Sequence, residues 1–278
     1  MNNPLDQYYR TKEIYVKLPT QGKWYKDKPN LTDQGEIGIL PMTVRDEMLL
    51  NIPDTLFNGE SLFELFKSIA PDIKDPYEIC MPDVDVILLG SRAASYENKL
   101  EVESRCPHCE TYNQYEIELS SILSQIKVID ESEIEIGELI FVLKPNTLKT
   151  VNAANIQSIE NQRMIEMMFK NQNGEQPLDQ ETFNRSLEIS TASAIAIVAD
   201  AISEIKLPDG KVVTEFEYIA EFLSKTQNKT VDTLKRAITN LNENGIGNDF
   251  NFTCSGEECG KSYNSPVEFN PAFFFKKP

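Results

Sequence analysis

Residues 104–112 read Ser104-Arg105-Cys106-Pro107-His108-Cys109-Glu110-Thr111-Tyr112. Two thiols three positions apart, in a chain with only five cysteines, make a metal site, a redox site or an incidental pair. The choice decides the fold, and the flanking residues bear on it. Leu100, Val102 and Cys106 share one alternating phase before the pair, and Tyr115, Ile117 and Leu119 share one after it. A second pair, Cys254 and Cys259 in "CSGEEC", is framed by Phe250 and Phe252 before it and Val267 and Phe269 after it. Period-two patterning on both sides of a short turn predicts a β-hairpin. Each cysteine pair is therefore expected at a hairpin tip.

Two such tips facing each other make a ribbon closed by zinc. The metal takes four thiolates in a tetrahedron at about 2.3 Å, which closes the site to substrate. The expected ligands are Cys106, Cys109, Cys254 and Cys259, with zinc in a structural role. Gly260, directly after Cys259, suits a tight knuckle because it adopts positive φ without a steric penalty. The second pair is C-x4-C, wider than the C-x2-C of the first, and 144 residues lie between Cys109 and Cys254. Such an insertion is tolerated because closure entropy grows only logarithmically with loop length. Two other readings stay open. A thioredoxin-like redox pair would open a helix, whereas "ETYNQYEIEL" after Cys109 reads as strand. Loss of the metal would leave reduced thiols or a disulfide. Cys80 is expected to be a buried small hydrophobe, and His108, the only histidine, an exposed turn residue rather than a ligand.

Composition narrows the function. Forty-four acidic against 27 basic side chains give the 278-residue chain a net charge of −17. That field repels nucleic-acid backbones and anionic membranes, so neither is expected as a partner. The visible basic cluster is Lys276-Lys277. No apolar run is long enough to span a bilayer, and "MNNPLDQYYRTKEIYV" has no apolar signal core, so synthesis in the cytosol is expected. A single histidine rules out a Cys–His or Ser–His triad away from the knuckle, and no glycine loop is shaped for phosphate. These features point to a binding or structural protein, not an enzyme.

The fold class expected is α+β. Residues 1–98 read as a small α+β domain: strands in "EIYVKLP" and "GEIGILPM", then a helix opened by a Thr43–Asp46 capping box. Helices over 61–70 and Asp83–Tyr96 complete it. Residues 99–147 hold the first cysteine hairpin and a second hairpin turning at Gly137-Glu138. Residues 148–247 read as a helical insertion. One long helix is expected from about 179 to 205, with Phe183, Leu187, Thr191, Ala194, Val198 and Ile202 on one stripe. An Asp-Gly turn in "LPDGKVV" comes after it, then a Thr214–Glu217 capping box and a last helix opened by Thr230. Residues 248–278 carry the second cysteine hairpin, expected to pair with 99–120, and an aromatic tail. Phe273, Phe274 and Phe275 in that tail would expose a large apolar patch if unpacked, which marks them as candidate partner-binding residues.

The order of "YYRTKEIYVKLPTQGKWY", "GEIGILPMTVRDEMLLNIPDTLFNG", "SRAASYENKLEVESRCPHC", "ADAISEIKLPDGKVVTEFEYIAEFLSK" and "FTCSGEECGKSYNSPVEFNPAFFF" resembles the baseplate hub family of contractile-tailed bacteriophages of the T-even type. The resemblance covers nearly the whole chain. It implies a non-enzymatic protein of hub assembly, with hub, tail-tube or tape-measure proteins as partners. Its place would be the tail baseplate of the virion, and the host cytoplasm during assembly; an assembly chaperone absent from the finished virion is the variant reading. The family's knuckle pattern falls on Cys106, Cys109, Cys254 and Cys259. The alternative from another class is a zinc-ribbon nucleic-acid-binding regulator. Against it, Glu101, Glu103, Glu110, Glu257 and Glu258 surround the knuckles, opposed by Arg105 and Lys261. A thiol oxidoreductase using Cys106 and Cys109 is a third reading, and it requires an accessible thiolate.

Overall fold

The computed structural model describes residues 4–50, 60–170, 180–243, 245–246, 249–256 and 259–267. Phe273, Phe274 and Phe275, Glu257, Glu258, Phe269 and the side chain of Phe183 lie outside the described residues.

The N-terminal part opens with a hairpin, β1 (Ile14–Lys17) and β2 (Glu36–Ile39), in which Val16 pairs with Ile37. Helix α1 (Val44–Leu50) starts at the expected capping box. The Asp46 carboxylate accepts from the Thr43 amide at 2.8 Å, and the Asp46 amide donates back to Thr43 Oγ1 at 3.3 Å. Helix α2 (Glu60–Ile69) buries Phe63, Phe66 and Ile69. Helix α3 (Met81–Ser95) buries residues on nearly every side, from Val84 to Ser91, the signature of a central helix. Its Gly90 lets β1 approach: a Cβ there would lie 2.7 Å from Val16 Cγ1.

Two antiparallel hairpins flank the cysteine pairs as expected. The first is β3 (Lys99–Arg105) with β4 (Tyr112–Glu118), and the second is β9 (Asp249–Thr253) with β10 (Ser262–Pro266). A short helix, α4 (Leu119–Leu123), leaves β4 and packs on α3. Leu100, Ile117, Phe252, Tyr263 and Val267 from the hairpins join Val16, Phe66 and Leu89 in one hydrophobic core.

A second core lies under a four-stranded antiparallel sheet of order β5-β6-β7-β8. Strands β5 (Ser132–Ile136) and β6 (Leu139–Leu143) turn at Gly137-Glu138, with Gly137 at φ +66°. Helices α5 (Leu148–Lys170) and α6 (Gln180–Asp200) come next. The expected helix to residue 205 stops at Asp200, because Ile202–Lys206 is strand β7, paired with β6. The register shifts between Val142 and Leu143, so Leu143 faces Ile202 while Phe141 faces Ile205. That bulge turns Ile202 and Ile205, three positions apart, onto the same core face. Spacing of three is a helical signature, which is why the sequence pattern reads through the strand.

The Asp-Gly turn is present, with Gly210 at φ +83°, and it leads into β8 (Val212–Val213). Helix α7 (Phe216–Lys225) does not use the expected Thr214 box; its N-cap is Glu215, with no side-chain cap bond. Thr214 directly follows the strand pairing of β8, which leaves no turn between strand and cap. Helix α8 (Asn228–Glu243) begins before Thr230. Trp24 packs against both cores. Where α8 gives way to the second hairpin, a Cβ on Gly245 would lie 2.8 Å from the Pro82 carbonyl oxygen.

Candidate metal centre

Both hairpins end in the same local structure. Cys106 closes β3 by donating its amide to the Thr111 carbonyl at 2.9 Å, and Cys254 closes β9 by donating to the Lys261 carbonyl at 3.0 Å. The amide two residues on then points at the sulfur in each case: His108 N to Cys106 Sγ and Gly256 N to Cys254 Sγ, both 3.4 Å. The wider C-x4-C loop therefore starts as the C-x2-C loop does. The residue after the second cysteine has positive φ in both, Glu110 at +63° and Gly260 at +52°. Glycine takes that conformation freely, whereas glutamate is strained in it. Arg105 holds Glu110 there with a guanidinium–carboxylate contact at 2.6 Å.

The two tips meet. Sγ of Cys106 lies 3.9 Å from that of Cys259, and Sγ of Cys109 lies 3.5 Å from that of Cys254. All four sulfurs fall within 4.8 Å of one another and could hold a metal ion. A regular tetrahedron of thiolates 2.3 Å from its centre has edges of about 3.8 Å, close to the 3.9 and 3.5 Å of these two pairs. Cys106 and Cys254 are buried, Cys259 is half-buried and Cys109 is exposed. His108 is exposed and contributes its backbone to the site.

The electrostatics set the four sulfurs apart. The Thr111 hydroxyl and then its amide pull the Cys109 thiol down to about 6, with Cys254 adding to the effect. The Gly256 amide favours the Cys254 thiolate, but burial and the neighbouring sulfurs outweigh it and push that thiol up to about 11. Four anionic sulfurs this close repel one another. A bound cation removes that penalty, and its binding releases the remaining protons.

Behind the knuckles, polar groups lock hairpin to hairpin. Asn113 of β4, buried at 2% exposure, accepts from the amide and the hydroxyl of Ser255 at 2.8 and 2.7 Å. Tyr115 donates to the Thr253 carbonyl at 2.9 Å and stacks on Phe252 with centroids 4.3 Å apart. The hydroxyls of Tyr115 and Tyr263 lie 3.3 Å apart. Sequence reading placed Tyr115 on an alternating strand but missed Asn113 and Tyr263 as cross-hairpin locks. Asparagine is a poor strand former, and its place inside β4 is the signal that could have exposed Asn113. The chain leaves the Cys109 turn as strand β4, so the helix that a thioredoxin-like pair requires is not there.

Among the described residues the four-cysteine cluster is the one metal-type grouping found, and no helix is long and apolar enough to cross a membrane. The family model described as "T4 bacteriophage base plate protein" matches residues 11–276. No curated protein and no solved structure gives a significant match. With nearly the whole length matched, the chain belongs to the T4 base plate family: it is a phage base plate structural protein, and its place is the virion tail.

Proposed function

We propose that this base plate protein is a non-catalytic component of the central hub of a contractile tail, built into it during assembly in the host cytoplasm. Cys106, Cys109, Cys254 and Cys259 bind one structural zinc ion in this reading. The observation that carries the metal is the set of four sulfurs within 4.8 Å of one another, presented by two hairpins of matching local structure. Zinc is the metal of choice for four thiolates, and the softness of the ligands disfavours magnesium, calcium and manganese. The ion contributes no open coordination position and hence no chemistry on a substrate. It pins residues 99–118 to residues 249–266 and so fixes the frame from which the second core is presented.

The hub assignment is supported by the order of segments along the chain together with the family match. The partners proposed are other hub, tail-tube or tape-measure proteins, with Phe273, Phe274 and Phe275 as contact residues. Complementation tests both parts. Phage lacking this chain should form no infective tails until the wild-type chain is supplied, and Cys254→Ser should fail to restore them. Normal tails from Cys254→Ser would overturn the metal role. Antibody label at the rim of the tail end, rather than its axis, would overturn the hub assignment.

A further inference from the structure

The four-stranded sheet has two unlike edges. At one, β8 is only two residues long, which leaves little ladder to pair with. At the other, β5 runs five residues in unbroken register with β6. That ladder starts at Ile136 and Leu139, across the two-residue turn Gly137-Glu138. So short a turn makes its flanking pair mutually hydrogen-bonded, and bonded pairs then alternate along an antiparallel ladder. Ile134 and Ser132 therefore bond to β6, while the N–H and C=O groups of Glu133 and Glu135 point away from the sheet. Among the described residues no other backbone group meets them. An edge of this kind is a template for another strand unless a bulge, a proline, a cover or charge blunts it. The irregularity of this sheet lies between β6 and β7, and β5 contains no proline. Charge is the safeguard it carries.

The two faces of β5 differ. Ile134 and Ile136 are half-buried against the second core, so the apolar layer of the sheet reaches its edge only partly covered. Glu133 and Glu135 are exposed on the opposite face. Residues 130–138 hold five carboxylates and no base. Asp130 pairs with Lys23 at 2.5 Å, and Glu133 with Lys206 at 2.6 Å. Glu131, Glu135 and Glu138 are exposed and have no ion pair among the described residues. Unpaired carboxylates thus line the same edge that leaves its backbone groups unpaired.

Such charge selects a partner. A second copy of β5, added antiparallel about Ile134, would set Glu133 directly opposite Glu135, and like charges in that position repel. A slip of one residue would turn its carboxylates onto the core face. The edge is therefore closed to its own kind and open to a strand of opposite charge. We infer that β5 is a pairing edge for an extended segment of another tail protein, in which Lys or Arg alternates with apolar residues. Residues opposite each other across a ladder point to the same face. The basic side chains of the segment thus lie beside Glu133 and Glu135, and its apolar ones cover Ile134 and Ile136. Backbone bonds to Glu133 and Glu135 supply affinity, and the alternation of side chains supplies specificity. The metal centre takes no part.

The test places a photo-crosslinking p-benzoylphenylalanine at the exposed Glu131 of the full chain in phage-producing cells, with the same residue at the exposed Asn251 of β9 as control. Mass spectrometry identifies the linked peptide. The expected product comes from a different protein and carries Lys or Arg at alternate positions between apolar residues. Glu135→Pro removes an outward N–H that β6 does not use, a change an edge strand tolerates. It should cut the yield roughly tenfold while the melting temperature of the isolated chain stays the same. Glu135→Lys keeps the N–H, reverses an exposed charge without touching the core, and should lower the yield several-fold. A linked acidic peptide, residues of β5 from a second copy, residues 268–278 of the chain itself, or a nucleic acid would each overturn the inference. So would a yield no higher than the Asn251 control, or one that Glu135→Lys leaves unchanged.

Discussion

Asp83 shows how one buried side chain joins distant parts of the molecule. It is wholly buried and accepts from the Thr20 amide at 3.0 Å, from the Thr20 hydroxyl, and from the Tyr25 hydroxyl at 2.8 Å. Burial pushes its carboxyl up to about 6, against the pull of the Thr20 and Tyr25 hydrogen bonds. A folded-state value above the unfolded one means the protonated acid is favoured by folding. Its contribution is then full below about pH 4 and lost as pH rises through about 6. Asn at this position does not titrate. The stability of wild type relative to Asp83→Asn should fall by on the order of 2–3 kcal/mol between pH 4 and pH 7, read by denaturant titration at each pH. A relative stability that rises with pH would mean the three donors outweigh burial. At the ribbon, Asn113→Ala leaves the Ser255 amide and hydroxyl without their acceptor. A loss of about 1–3 kcal/mol is expected, with faster extraction of metal by a chelator. Unchanged extraction would show that Asn113 does not tie the knuckles together.

At the scale of elements, local signals were legible where the pattern and the packing agree. The Thr43–Asp46 box, the Gly137-Glu138 turn and both cysteine hairpins arise from residue type and spacing, and they stand in the structure. The sequence failed at Ile202 and Ile205, where a bulge gives a strand the spacing of a helix. It failed again at Thr214, where a good capping residue is taken up by the end of β8. Both errors come from tertiary pairing that overrides a local preference. The metal-site residues were legible as types and spacings. The cross-hairpin locks were not, since Asn113, Ser255 and Tyr263 acquire their roles only when two hairpins meet. Gly90 was equally silent. In the folded chain its missing side chain lets α3 lie on β1 and β2. Gly90→Ala gains up to about 1 kcal/mol of helix propensity, but overpacking against Val16 and Ile39 costs about 1–3 kcal/mol. The variant should therefore melt at a lower temperature than wild type. An equal or higher melting temperature would show that the contact relaxes freely.

For the whole molecule, the chain leaves the first core after α4, builds the second core over residues 129–241 while touching the first again at Leu148, and returns to the first through Ile246, β9 and β10. The second core contains none of the four ligand cysteines. Stripping the metal should therefore remove the aromatic circular-dichroism signal of Tyr115, Phe252 and Tyr263 while much of the helical signal persists. Simultaneous loss of both would show that the two cores fold as one cooperative unit. The central claim is that the two cysteine knuckles are a single metal clamp. Elemental analysis of protein purified without chelator, with thiol titration on the same sample, tests it most directly. The account predicts one zinc per chain, no thiol reacting readily in the folded protein, and four further thiols appearing when the metal is removed, with buried Cys80 reacting only on unfolding. Metal-free protein with its knuckle thiols already reactive and its ribbon folded would contradict it.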